Sequence, residues 1–220
     1  MNNKINLIID FDSTFIKVET IEILADFSLS NQNNKIQILN QIKEITNKAM
    51  KGDIPFSEAL DKRIQLISPT SDNINKTIKF LKSQISNSFL ENKKFFKLHN
   101  ENCFIVSGGF KEIIIPLVTE FNILEKHIYA NTFIYNNNNM YIDKNNPLSQ
   151  NNGKNLIVKN ILGNNIIIGD GYTDYEVKKY GNAKKFIQYT ENINRKSLNN
   201  KADFIANDFK QIISYIKNDI

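Results

Sequence analysis

With 220 residues, 41% hydrophobic and 23% charged, the chain is long enough to bury a sizeable core and too apolar for disorder to be the default. Its formal charge of +5 and pI near 9.1 raise the question of nucleic acid. The lysines are spread along the whole chain, however, paired at most as in Lys93-Lys94, Lys178-Lys179 and Lys184-Lys185, so no basic footprint marks a nucleic-acid partner.

In chain order, Ile5 to Thr14 reads as a buried strand, apolar and β-branched, ending in Asp10 and Asp12 with hydroxyls at Ser13 and Thr14. Two like charges at the carboxyl end of a strand persist beside a cation with hard oxygen ligands; alternatively, Asp10 caps the next helix and Asp12 is solvated. This stretch by itself leaves both readings open. No signal-like leader precedes it and no apolar run approaches bilayer length, so a cytoplasmic protein without membrane association is expected. Helical spacing follows over Ile16 to Phe27, Ile36 to Met50, Phe56 to Ile67, Ile74 to Ile85 and Phe89 to Leu98, with Gly52 and Pro69 as stops and Ser71 or Asp72 as a cap. Cys103 to Val106 is the next buried strand. Its lone thiol has no internal disulfide partner.

A right-handed crossover needs about thirty residues. The chain between Asp12 and Ser107 is far longer and helical throughout, which predicts a helical bundle inserted into an α/β domain: 16–86 as the cap, 1–15 and 87–220 as the core. After Ser107-Gly108-Gly109 come a helix from Phe110 to Phe121, then Tyr129 to Tyr135 and Met140 to Ile142 as a β-hairpin around the run Asn136 to Asn139. A polar loop, Lys144 to Gly153, leads to a helix from Lys154 through Leu162. A strand over Ile166 to Ile168 ends in Gly169-Asp170-Gly171, and a helix runs from Thr173 to about Tyr180. Short strands at Lys185 to Tyr189 and Asp203 to Ile205 and a helix from Asn207 to Ile216 close the chain. The expected fold class is α/β: a Rossmann-like parallel sheet flanked by helices, with the helical cap and a small hairpin.

Three predicted strands thus end in polar residues: Asp10 and Asp12, Ser107, and Asp170 with Asp174 nearby. Strand ends of one parallel sheet converge on one edge. Singly, each has an ordinary explanation, since Ser107-Gly108-Gly109 and Asp170-Gly171 are turn sequences and Lys154 suits a solvated surface. Jointly they suggest phosphate chemistry. Carboxylates set against a phosphate repel it by roughly 4 kcal/mol per charge pair at about 4 Å and an effective dielectric near 20. Such a site needs Mg²⁺ and a further cation, which Lys154 can supply, while Ser107 and the amides of Gly108 and Gly109 bind the remaining phosphoryl oxygens.

Asp-Phe-Asp-Ser-Thr at 10–14, Ser107, Lys154 and Gly-Asp-Gly-Tyr-Thr-Asp at 169–174 resemble the four motifs of the haloacid-dehalogenase superfamily phosphatases, and within them the phosphoserine phosphatase family. The resemblance extends to Glu19, to Met50, Phe56 and Arg63 in the cap, and to Ser-Gly-Gly-Phe at 107–110. Thr173 stands where many members carry Asn, and Asn155 where Gly is common. The resemblance implies Asp10 as a nucleophile forming an aspartyl-phosphate, Asp12 as general acid and base, and Mg²⁺ held by Asp10, the Asp12 carbonyl and Asp170 with Asp174 in support. It also implies Ser107 and Lys154 on the phosphoryl group and Thr173 among the substrate contacts.

For the substrate, Phe56, Leu60, Arg63 and Ile67 share a helical face, so Arg63 lies in an apolar stripe and needs an anionic partner. Glu19 is likewise flanked by Ile16 and Ile23. Arg63 on a carboxylate and Glu19 on an ammonium match a free amino acid such as O-phosphoserine; otherwise the two pair with each other or with nearby charges. Met50 and Phe56 close over the substrate or simply pack in the core. Rival readings are a different small phosphomonoester, transfer to an alcohol such as homoserine, and a non-catalytic anion- or nucleic-acid-binding module. Oligomeric state is not legible.

Overall fold

The computed structural model describes residues 5–136 and 139–218. Strand β1 (Ile5–Ile9) is followed by helices α1 (Thr20–Ser28), α2 (Lys35–Lys51), α3 (Phe56–Ile67) and α4 (Ser71–Leu81). Two short helices, α5 (Asn87–Glu91) and α6 (Lys93–Leu98), lead to β2 (Cys103–Phe110), α7 (Lys111–Val118), β3 (Ile128–Asn131), β4 (Phe133–Asn136) and β5 (Asn139–Ile142). The chain closes with α8 (Gly153–Val158), β6 (Asn164–Gly169), α9 (Tyr172–Lys179), β7 (Lys185–Tyr189), β8 (Phe204–Ala206) and α10 (Phe209–Asn218).

Six strands form one parallel sheet in the order β3-β2-β1-β6-β7-β8, and β4 and β5 pair antiparallel beside it. The order reverses direction between β1 and β6, which is where open α/β sheets form a crevice at their carboxyl ends. Both strands are apolar because helices cover both sheet faces: Ile8, Ile9, Ile167 and Ile168 are wholly buried. One polar pair interrupts them. Asn6 and Asn165 face each other in register, and the Asn6 amide donates to Asn165 Oδ1 at 3.0 Å and to the Leu162 carbonyl at 2.9 Å. A satisfied buried pair like this penalises any slip of β1 against β6.

The turn after β1 is anchored from below. Phe15 is fully buried and packs against Phe89 and Phe121, each with ring centres 4.9 Å away. Where the turn leaves the sheet, Ile16 bridges antiparallel to Ile85, Lys17 donates to the Gln84 carbonyl and Ser86 donates to the Phe15 carbonyl. That pairing holds residues 16–17 extended, so the helix expected from Ile16 begins at Thr20. Among the described residues, no helix is long and apolar enough to cross a membrane.

Other departures have equally local causes. Thr70, not Ser71 or Asp72, caps α4, through a reciprocal box with Asn73. The helix expected over Phe89 to Leu98 breaks at Asn92, whose amide bonds back to the Ser88 carbonyl. Tyr129 to Tyr135 is not one hairpin arm: β3 joins the main sheet, and only β4 pairs with β5. The centre of the expected asparagine turn, 137–138, lies outside the described residues. Strand β2 does not stop at Val106. It runs through Ser107-Gly108-Gly109 with a register shift between Val106 and Phe110, an irregularity typical of strands that carry a site.

Candidate active site

Asp10 follows the last residue of β1, and its amide donates to the Ile168 carbonyl of β6 at 2.9 Å. Its carboxylate accepts from the Phe11 amide and lies 2.9 Å from Lys154 Nζ. Beyond it the chain turns sharply. Asp12 keeps extended angles while Ser13 takes φ 54, a left-handed conformation rare for a residue with a side chain and held only where surroundings enforce it. The turn aims Asp12 toward the helical insertion, where its Oδ1 accepts from the Thr20 amide at 2.7 Å. The first aspartate therefore looks into the sheet crevice and the second toward α1.

Asp170 and Asp174 complete the floor. Carboxylate oxygens of Asp10, Asp170 and Asp174 come within 4.8 Å of one another, and all three residues are buried. Asp174 sits in the first turn of α9, takes the Gly171 amide at 3.0 Å and pairs with Lys154 at 2.6 Å. Gly169 has room for no side chain, because a methyl there would overlap the Asp174 carboxylate. Thr14 Oγ1 lies 3.4 Å from Asp170 Oδ1.

Burial dominates the electrostatics. It pushes the Asp12 carboxyl up to about 6, Asp170 to about 7 and Asp174 to about 8, with Asp10 adding repulsion in each case and the Thr20, Arg195 and Lys154 contacts opposing the rise. Burial also works against the Lys154 charge, but Asp10 and Asp174 outweigh it and hold its pKa above the usual lysine value. Five carboxylates (Asp10, Asp12, Glu19, Asp170, Asp174) share the site with three cations, Lys154, Arg63 and Arg195. Fully ionised, the acids would exceed the cations by two charges, which is why burial and mutual repulsion drive their carboxyls upward, and the donors are hard oxygens. That donor set suits a divalent ion of the Mg²⁺ type.

Above this floor lies a cavity of about 30 Å³, lined by Asp10, Asp12, Glu19, Met50, Phe56, Leu60, Arg63, Ser107, Gly108, Gly109, Lys154 and Thr173 among others. The sequence-predicted residues therefore converge, with Asp170 and Asp174 just behind the cavity wall. Ser107 is 1% exposed and its hydroxyl oxygen accepts from the Gly109 amide at 3.0 Å. The hydroxyl proton is left to give, but the Gly109 amide is directed at Ser107. Helix α7 starts later than expected, at Lys111, so Ser107 is held by the strand irregularity and not by a helix N-terminus. Phe56 lies against Gly108, and the Met50 sulfur against Gly171.

Arg63 is 3% exposed, with Nε on the Ala59 carbonyl at 3.0 Å and Nη1 on Thr46 at 3.0 Å. Glu19 accepts from the Ser13 hydroxyl at 2.6 Å and stands 3.5 Å from Arg195, and burial raises its carboxyl to about 7. The Arg63–Glu19 pair entertained from sequence is thus replaced by Glu19–Arg195.

Sequence reasoning missed Arg195 and Asn192, both in the loop after β7. Arg195 Nε lies 2.8 Å from Asp170 Oδ2. The Asn192 amide donates to the carbonyls of Ser13, Thr14 and Ile16 and to the Ser86 hydroxyl at 2.7–3.2 Å. A signal for Arg195 was present: of 28 Lys and Arg residues, two are arginine, Arg63 and Arg195. A lysine-rich chain that keeps arginine at two places has a use there for a planar, forked cation.

No family model matches the chain. A chloroplastic phosphoserine phosphatase of Arabidopsis thaliana is 30% identical over 212 residues, 93% of this chain and 69% of the relative. The phosphoserine phosphatase of Drosophila melanogaster is 30% identical over 212 residues, covering 93% and 75%. Among solved structures, a phosphoserine phosphohydrolase-like protein from Francisella tularensis superposes with a TM-score of 0.86 at 33% identity, over 96% of this chain and 99% of that one. With this sheet order, this cluster of aspartates and relatives of that identity and coverage, the chain belongs to the phosphoserine phosphatase family.

Proposed function

We propose that the protein hydrolyses O-phosphoserine to serine and inorganic phosphate in a Mg²⁺-dependent reaction that completes serine biosynthesis. The observation that carries this reading is a single juxtaposition. Asp10, paired with Lys154 at 2.9 Å, lies at the floor of a cavity whose lining also holds Arg63 and Glu19. A phosphate subsite and an amino-acid subsite therefore share one enclosure.

The Asp10 carboxylate attacks phosphorus in line with the ester bond. The bond from phosphorus to the serine oxygen breaks as the acyl phosphate forms, and Asp12 gives its proton to the departing oxygen. Asp12 then takes a proton from water as that water attacks the phosphoaspartate, which returns Asp10 as carboxylate and releases phosphate. Its burial, which raises the carboxyl to about 6 against the opposing bond from the Thr20 amide, suits a group that must give up and take back a proton within one turnover. Lys154 neutralises one phosphoryl oxygen and the Ser107 hydroxyl donates to another. The carboxylates of Asp10 and Asp170 and the Asp12 carbonyl would hold Mg²⁺, with Asp174 in support, and the bound ion supplies charge neutralisation for the phosphoryl group. Arg63 takes the substrate carboxylate and Glu19 its ammonium, while Met50, Phe56 and Thr173 close the remaining walls.

Phosphate release from phosphoserine, measured with Mg²⁺ and again with excess chelator, tests the reading. Release that depends on the metal and exceeds that from a panel of other small phosphomonoesters is the expected result. A panel member turned over faster than phosphoserine overturns the substrate, and absence of release from every phosphomonoester overturns the enzyme.

A further inference from the structure

Arg195 belongs to none of the four motifs and stands 176 residues from Glu19 in sequence, yet its side chain, 9% exposed, reaches two carboxylates of the site. Its Nε bonds Asp170 Oδ2 at 2.8 Å, and Nη2 lies 3.5 Å from Glu19 Oε1. Its backbone is fixed as well, because the buried Gln188 side chain donates to the Arg195 carbonyl at 3.0 Å. A guanidinium presents several donors in a rigid plane and can serve two acids at once, whereas an ammonium is a point charge on a flexible stem.

Glu19 needs such a restraint. It lines the inner cavity with Asp10 and Arg63, and it also lines an outer cavity of about 270 Å³ that contains Lys17 and Lys43. A carboxylate on the partition between two cavities, with Lys17 and Lys43 beside Glu22 on the outer side and Asp12 repelling it from the inner one, needs a fixed partner on that partition, and Arg195 also lines the outer cavity. Ser13 at 2.6 Å and Arg195 are what hold it in place.

We propose that Arg195 is a positioning residue that sets the enzyme's preference for phosphomonoesters bearing an ammonium group, by holding Glu19 and Asp170 on one guanidinium. The inference rests on the function proposed above. Arg195 touches neither the phosphoryl group nor the reacting atoms in this scheme. It acts through Glu19, and its effect is on discrimination between substrates.

The experiment compares kcat/KM for O-phosphoserine with that for 3-(phosphonooxy)propanoate, which is phosphoserine without its amino group, at saturating Mg²⁺. Arg195→Met keeps the stem and removes the charge; Arg195→Lys keeps the charge and removes the fork. The ratio of the two kcat/KM values is expected to fall at least about tenfold in R195M and about threefold in R195K, in line with the loss of charged hydrogen bonds. An equal slowing of both substrates, which leaves the ratio within about twofold of wild type, overturns the inference and assigns Arg195 a merely structural part. If melting shows that R195M does not fold, R195K decides, and an unchanged ratio there overturns the inference. Discrimination by the wild type that survives in R195M sinks this inference alone; a wild type that does not discriminate sinks the substrate reading and the inference together.

Discussion

Lys154 Nζ lies 2.6 Å from Asp174 Oδ1, and the two side chains are 9% and 0% exposed. A pair so deeply buried is weak evidence of net stabilisation, since desolvation offsets much of the attraction, but removing one partner strands the other. Lys154→Met leaves both Asp10 and Asp174 without this cation. Stability should fall by about 3–5 kcal/mol, read as a melting temperature lower by roughly 10 °C in metal-free buffer, and phosphate release should be lost. A shift under about 2 °C would show that the carboxylates find other partners.

Asp10→Asn removes the attacking oxygen's charge at little change in shape. Turnover should drop at least about a thousandfold while phosphoserine still binds, as measured by calorimetry. A residual rate within about tenfold of wild type would exclude a nucleophile at this position.

Arg63 meets Thr46 and the Ala59 carbonyl, and among the described residues no carboxylate bonds it directly. Arg63→Ala should raise KM for phosphoserine roughly a hundredfold by the loss of a bidentate charged contact. Phosphoethanolamine, which lacks the carboxylate, should change by less than about threefold. Equal losses for both substrates would place Arg63 in the frame of the insertion and outside recognition.

Gly169→Ala probes geometry without touching charge. The added methyl overlaps the Asp174 carboxylate, which must swing off Lys154 and the Gly171 amide. We expect phosphate release to fall about a hundredfold and Mg²⁺ binding, followed by calorimetry, to weaken, because displaced donors cost rate steeply. Wild-type Mg²⁺ affinity in this variant would show that Asp174 takes no part in holding the ion.

His127 lies away from the site, stacked on Phe104 at 4.1 Å with Nδ1 3.2 Å from the Asn100 carbonyl. Burial lowers its pKa in the folded chain below the usual 6.5, so the unfolded chain takes up the proton at higher pH. Its contribution is fully present above that value and is lost as pH falls through the folded pKa. Between about pH 7.5 and about pH 5 the wild type should lose more melting temperature than His127→Gln. Parallel profiles for the two proteins would count against the burial argument.

Much of this was readable beforehand because strand ends do two jobs. The isoleucine runs at 5–9 and 166–168 had to be buried strands, and the acids closing them could not be core, so sheet and site were announced together. Ser107 lines the same cavity as Asp10, but its setting was not foreseen: the irregularity that keeps β2 going to Phe110 comes from pairing with β3, whose partner residues are remote in sequence. The start of α1 was misread for the same reason, since apolar spacing from Ile16 looks helical until Ile85 is laid beside it. Arg195 was hardest to see. It stands in an asparagine-rich loop with no period, and its partners Glu19 and Asp170 lie 176 and 25 residues away in sequence.

The inserted helices are joined to the sheet domain by two crossings that run side by side, at Ile16 and Ile85, and Asn192 grips both through Ser13, Thr14, Ile16 and Ser86. The farther tethers, Lys144 to Asp61 and Asn151 to Ser57, lie among exposed groups that water can replace. The insertion is therefore pinned to the sheet beside Asp10 by backbone and buried amide bonds and tied elsewhere by water-exposed side chains, with a cavity of about 30 Å³ enclosed between the two.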